Sequence, residues 1–120
     1  MPGLVVVVVT ALVSFTLWSG PADAQRLKSP KPDPEAGARI YMQNCVSCHG
    51  TEGKGDGIMA AQLNPKPADL TSPKTQQKND ADLLEVLKFG RAGTAMPGWM
   101  SELDEQEMRH VLAYLRSLVP

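Results

Sequence analysis

Residues 45 to 49 read Cys-Val-Ser-Cys-His. Two thiols three positions apart, followed at once by an imidazole, form the spacing used for covalent attachment of a haem c. Cys45 and Cys48 can each form a thioether to one vinyl group of the macrocycle. His49 then lies beneath the ring, where a nitrogen binds iron from the proximal side. Three other chemistries fit the same residues less well. A dithiol redox pair needs a βαβ setting, and strand-like runs are scarce after the first fifteen residues. A structural zinc needs about four ligands, and the chain has 2 cysteines and 2 histidines in all, so the distant His110 would have to be recruited. A plain disulfide suits an oxidising compartment but leaves His49 without a role.

Iron in a haem has six coordination positions, and the ligand opposite His49 decides what the centre can do. The candidates are Met42, Met59, Met96, Met100, Met108 and His110. Met42 lies one turn before Cys45 on the same helical run, so it is badly placed for the far face. Met108 belongs to an apolar helical stripe, and Met59 follows His49 closely, near a glycine-rich loop. Met96 sits in Gly93-Thr94-Ala95-Met96-Pro97-Gly98, an irregular segment between two helices that can drape over the distal face, stiffened by Pro97. Position therefore favours Met96 over Met100. A thioether is a soft ligand that stabilises ferrous iron and raises the potential.

The elements that must position these groups are short helices. Pro34 or Glu35 opens the first, which runs to about Cys45, with proline at a first-turn position and an acid at the positive end of the dipole. Gly37 and Tyr41 are one turn apart on one face. Gly50 to Gly57 holds four glycines in eight residues and reads as a tight loop. A phosphate loop is excluded there, because Lys54 is followed by Gly and no strand precedes it. A calcium loop through Glu52 and Asp56 has too few carboxylates. Pro65 and Pro67 break the next stretch. Asn79 or Asp80 caps a helix to about Phe89, ended by Gly90. Ser101 with Asp104, or Asp104 with Glu107, starts the last helix. Its apolar stripe is Met108, Val111, Leu112, Leu115 and Val119. His110 points away from that stripe and reads as a solvated surface residue. Three to four short helices without strands predict an all-α fold around one covalently attached haem.

The start of the chain carries a separate signal. Leu4 to Trp18 is an apolar run of 15 residues, short of the ~20 that a membrane-spanning helix needs. It is followed by Ala22-Asp23-Ala24, a small-x-small cleavage pattern. Residues 1–24 read as a secretory signal peptide, although no Lys or Arg precedes the apolar core; an uncleaved membrane anchor is the alternative. Residues 25–34 form a Pro-rich flexible leader, and 35–120 the folded domain. Removing residues 1–24 takes away Asp23 and leaves 12 basic and 12 acidic residues among the remaining 96. A mature chain with zero formal charge does not suit nucleic acid. Ninety-six residues make one domain, small enough that a covalently held haem would support its core.

These features together resemble the class I c-type cytochromes, the compact bacterial monohaem members in particular, from about Pro34 to Val119. Cys45-Val46-Ser47-Cys48-His49 matches the haem motif. Gly37 and Tyr41 match the first-helix pair that packs on a terminal helix, here Val111 to Leu115 with Tyr114 as its aromatic. Thr94-Ala95-Met96-Pro97 is similar to the distal methionine loop. The resemblance implies His49 as proximal and Met96 as distal ligand. It also implies a proline carbonyl, from Pro65 or Pro67, accepting the histidine's other N–H, and Arg91 and Trp99 meeting the haem propionates. A secreted, periplasmic one-electron carrier exchanging electrons with redox protein partners is the expected function, as a monomer or as a subunit of a dehydrogenase or oxidase complex. A haem enzyme or sensor with a labile sixth position is the other class. The chain lacks the lysine-rich face of mitochondrial members, but Lys54, Lys66, Lys88 and Arg91 would give a local basic rim.

Overall fold

The computed structural model describes residues 30–120 and the single residue Gly3. The expected signal peptide (apart from Gly3) and residues 25–29 of the leader lie outside the described residues. Among the described residues five α-helices follow one another: α1 (Pro34–Asn44), α2 (Val46–His49), α3 (Pro73–Gln76), α4 (Asp80–Phe89) and α5 (Glu105–Ser117), with a 3₁₀ turn at Ala60–Gln62. No strand occurs among the described residues. The all-α expectation therefore holds, with α2, α3 and the 3₁₀ turn as single-turn elements beyond the three longer helices.

Local chemistry sets the helix starts. Asp33 caps α1 by accepting from the Glu35 N–H, with Pro34 in the first turn. Asn79 caps α4 through the Asp82 N–H. At α5 the Asp104 and Glu107 side chains each accept from the other residue's backbone N–H, a complete capping box. Of the two starts open in the sequence, Asp104 with Glu107 is the one adopted.

The core is one cluster: Tyr41 from α1, Leu83, Leu84 and Leu87 from α4, and Met108, Val111, Leu112 and Leu115 from α5. Burying each such aliphatic side chain stabilises the fold by about 1.5–3 kcal/mol. Packing on α5 rests on a close helix crossing. A Cβ added at Gly37 would collide with the His110 carbonyl, and it would sit 3.0 Å from Tyr114 Cβ. Only a residue without a side chain lets α1 lie this near α5. One turn on, Tyr41 is fully buried and stacks at a tilt on Tyr114, with centroids 5.1 Å apart. At the far end of α5, Arg116 binds Asp80 Oδ1 (2.8 Å) and the carbonyls of Gln76 (2.7 Å) and Lys78 (2.6 Å). It thereby ties α5 to the α3–α4 junction.

The α1–α5 crossing corrects one sequence expectation. His110 is half-buried, and its Nδ1 accepts from the Asp33 backbone N–H at 2.7 Å. The face of α5 opposite the apolar stripe is covered by the start of α1, so His110 is not a solvated residue. The end of the leader is also held: Gln106 Nε2 donates to the Pro30 carbonyl at 3.0 Å.

Gly37→Ala tests the crossing. Overpacking of this kind costs roughly 1–3 kcal/mol, so the denaturation midpoint of the haem-loaded protein in guanidinium chloride is expected to fall with its slope unchanged. An unchanged midpoint would mean that the helices do not need this approach.

Candidate haem site

Cys45 ends α1, and Val46 to His49 form the single turn α2. A helix this short leaves its carbonyls without intrahelical partners, and the neighbouring loop supplies them. The N–H groups of Met59, Gly57 and Gly55 donate to the carbonyls of Ser47 (2.9 Å), Cys48 (3.1 Å) and His49 (2.8 Å). Tyr41 Oη donates to the Gly50 carbonyl at 2.6 Å in a buried setting. The glycine loop is thus a clamp on the Cys-x-x-Cys-His turn, and the tyrosine hydroxyl closes it. Sequence reasoning misses both roles; the signal that could have found them is the run of glycines at 53, 55 and 57, which marks a close approach of backbone.

The imidazole of His49 is oriented by one contact. Its Nδ1 lies 3.0 Å from the Ala68 carbonyl. A carbonyl can only accept, so Nδ1 carries the proton and Nε2 presents its lone pair. This corrects the expectation of a proline carbonyl from Pro65 or Pro67. The Leu70 N–H bonds the Gly53 carbonyl at 2.6 Å, and that register brings Ala68, not either proline, opposite the ring. Burial lowers the basicity of His49, and the Ala68 carbonyl partly offsets this. The folded state therefore favours the neutral ring. That preference leaves stability intact above the ordinary imidazole range, and stability is lost as pH falls below it through the lowered folded value.

Neither cysteine is in a disulfide, and both are partly buried. Burial first, then Cys48, pushes the Cys45 thiol up to about 11. Burial, helped by Cys45, also pushes Tyr41 up, so its hydroxyl stays a donor.

Met96 is held by α4 and the segment from Gly90 to Trp99. Gly90 has φ 72°, and a Cβ there would stand 2.5 Å from the Met96 carbonyl. This left-handed glycine turns the chain back on itself. The Arg91 N–H then bonds the Met96 carbonyl (3.1 Å), and the Trp99 N–H bonds the Leu87 carbonyl (2.8 Å). The Met96 N–H donates to Thr94 Oγ1 at 3.2 Å. Met96 is partly buried and packs against the core, as do Cys45, Val46 and Trp99. The sequence-derived set thus divides. Cys45, Met96 and Trp99 pack against the same core and His49 is half-buried, whereas Pro65 and Arg91 are exposed and Pro67 is half-buried.

These residues fit a haem c. Two thiols without a disulfide precede a histidine whose Nδ1 is held by Ala68, leaving Nε2 to bind iron. Trp99 Nε1 adds an independent sign: among the described residues it is the buried side-chain polar atom without a partner. A buried unpaired donor is costly, and a haem propionate would satisfy it. Trp99→Phe keeps the packing and removes that donor. The protein is expected to fold, with its midpoint potential lowered by on the order of 20–60 mV, because a less neutralised propionate favours ferric iron. An unchanged potential in redox titration would place the indole N–H elsewhere.

Residues 34–119 match the family model described as cytochrome c. The chain is 34% identical over 107 residues to cytochrome c55X of Paracoccus denitrificans, covering 87% of this chain and 85% of that protein. It is 37% identical over 87 residues to the cbb3-type cytochrome c oxidase subunit FixP of Bradyrhizobium diazoefficiens, covering 72% of this chain but spanning only 28% of FixP. Among solved structures it is similar to a chain of the reducing HAO-like protein complex of Kuenenia stuttgartiensis. The TM-score is 0.65 at 27% identity, covering 78% of this chain and 46% of that one. The chain belongs to the cytochrome c family: it is an all-α, class I monohaem c-type cytochrome, with one haem c bound covalently through the Cys45 and Cys48 pair.

Proposed function

We propose that this cytochrome is an exported, periplasmic one-electron carrier whose iron is bound axially by His49 and Met96. When bound, the haem supplies reversible exchange of a single electron between ferrous and ferric iron. The chain's own residues supply the rest. Cys45 and Cys48 anchor the group, Ala68 holds the His49 tautomer, and α4 with the Gly90 turn holds Met96 on the other side. A rigid ligand pair keeps reorganisation small on electron transfer.

The observation that carries this reading is the contrast among the methionines. Met96 is partly buried against the core and pinned through its own N–H and carbonyl. Met42, Met59 and Met100 are 44%, 41% and 58% exposed, and Met108 is a core residue at 3%. His110 is committed to the Asp33 N–H, which removes the remaining sequence candidate for an acid–base group above the iron. Export is supported by the apolar run from Leu4 to Trp18 followed by Ala22-Asp23-Ala24, and by the chemistry of haem c attachment outside the cytoplasm. No helix among the described residues is long and apolar enough to cross a membrane.

A second reading makes the chain a haem subunit of a larger redox assembly. Its similarity to FixP, named as an oxidase subunit, favours that reading.

Two measurements test the proposal. The oxidised protein is expected to show the far-red sulfur-to-iron absorption band, lost in Met96→Ala and kept in Met100→Ala and Met59→Ala. A band that survives Met96→Ala overturns the ligand assignment. Protein purified from the periplasmic fraction is expected to have the intact mass of residues 25–120 plus one haem. Recovery as the full-length chain in the membrane fraction would replace the cleaved signal by an anchor.

A further inference from the structure

The Ala68 carbonyl that meets His49 belongs to residues 63–72, a stretch with no helix or strand. Each residue of such a stretch keeps two soft dihedrals. The direction of one carbonyl therefore depends on how the neighbouring peptide planes are held.

The two planes that follow Ala68's own are each held at both ends. In the Asp69–Leu70 peptide, the Leu70 N–H donates to the Gly53 carbonyl at 2.6 Å. The Asp69 carbonyl of the same plane accepts from the hydroxyls of Ser72 (2.7 Å) and Thr75 (3.0 Å). In the Leu70–Thr71 peptide, the Thr71 N–H donates to Asp69 Oδ1 at 2.8 Å, and the Leu70 carbonyl accepts from Gln76 Nε2 at 2.7 Å. Gly55 stands close by: a Cβ there would lie 2.5 Å from the Pro67 carbonyl and 3.1 Å from that of Ala68. The same Gly55 gives its N–H to the His49 carbonyl at 2.8 Å. The histidine's turn and its acceptor are thus mounted on one loop.

The two hydroxyls on Asp69 are unusual for their places in α3. Ser72 is the N-cap, where a hydroxyl ordinarily accepts from a first-turn N–H, yet it makes no side-chain cap bond. Its hydroxyl turns to Asp69 instead. Thr75 is buried, at 8% exposure, and a buried hydroxyl needs a partner. That partner is the same Asp69 carbonyl, one peptide plane from the carbonyl that binds His49 Nδ1. Gln76 has a second duty, since its Nε2 also donates to the Leu115 carbonyl of α5 at 3.0 Å. Thr75 therefore gives the cleaner probe of the loop.

We propose that Thr75, with Ser72, is a positioning residue for the proximal iron ligand. Its hydroxyl fixes the Asp69–Leu70 peptide, and the Ala68 carbonyl thereby keeps its bond to His49 Nδ1. A well-placed acceptor makes the imidazole a more basic ligand, and a more basic ligand favours ferric iron. Thr75 acts on the redox balance from outside the ligand's own contacts. The proposal rests on the reading of His49 as the iron ligand.

The test uses the haem-loaded protein with ¹⁵N-labelled histidine. Thr75→Val keeps the shape of the side chain and removes the donor. In the ferrous variant the His49 Nδ1–H resonance is expected to move upfield, and its exchange with solvent to speed up roughly two- to tenfold, as for a weakened hydrogen bond. At a fixed solution potential the ferrous-to-ferric ratio is expected to rise by a similar factor. Ser72→Ala combined with Thr75→Val is expected to exceed Thr75→Val in both readouts, and Thr75→Ser to restore both to within about twofold of the unaltered protein. Asp104→Ala, which removes the α5 cap and lowers global stability, is expected to move neither. Where Thr75→Val fails to fold, Ser72→Ala at the half-buried cap carries the same expected shifts.

A lower denaturation midpoint with resonance and ratio unmoved overturns the proposal, because it marks a purely structural threonine. So does Thr75→Ser behaving as Thr75→Val, or Asp104→Ala moving both readouts equally. In the ferric protein the His49 ring protons are expected to show hyperfine shifts from the iron. Their absence in the unaltered protein overturns the ligand reading and the proposal with it. Hyperfine-shifted protons beside an Nδ1–H that Thr75→Val leaves in place overturn the positioning role alone.

Discussion

The fold depends on the close crossing of α1 over α5 at Gly37. Because no side chain separates the helices there, Tyr41 reaches the centre of the core and meets Tyr114. Its hydroxyl then extends past the core to the Gly50 carbonyl, directly after the Cys-x-x-Cys-His turn. One tyrosine thus links the helix crossing, the apolar core and the haem-bearing segment. If the crossing widened, the buried phenol would lose its partner and the turn would lose an anchor. That coupling explains how a single-turn helix such as α2 can hold a histidine steadily, since a helix of four residues has little stability of its own.

The site is assembled from two walls that use backbone more than side chains. On the proximal wall, loop N–H groups occupy the carbonyls of Ser47, Cys48 and His49, and the Ala68 carbonyl orients the imidazole. After α4, paired backbone bonds between Arg91 and Met96 and between Trp99 and Leu87 pin the Met96 segment to that helix. Backbone anchoring fixes the His49 turn and the Met96 segment with few side-chain contacts. The same economy leaves Trp99 Nε1 as a buried donor awaiting an acceptor.

Charge is organised by position and not by total. The residues 25–120 carry equal numbers of acids and bases, yet Lys54, Lys88 and Arg116 are absorbed by carboxylates or carbonyls. Lys74 on α3 and Lys78 just past it make no salt bridge among the described residues. A net charge near zero is therefore compatible with a directional field.

The sequence alone determined the cofactor chemistry and the helices that frame it. Cys45, Cys48 and His49 are local in the chain, and so are the caps at Asn79 and Asp104, because each depends on neighbours within a few residues. The Gly37 and Tyr41 spacing marked the contact face of α1 for the same reason. Tertiary structure alone decided whatever depends on register between distant segments. The carbonyl opposite His49 came from Ala68 and not Pro65 or Pro67, because the Leu70 to Gly53 bond sets the alignment. His110 became a clasp for the leader, because α1 covers a face that helical periodicity assigns to solvent. Which lysines stay unpaired likewise depended on carboxylates brought near by folding. Lys88 and Glu105 are 17 residues apart, and no spacing rule joins positions on two helices before they pack.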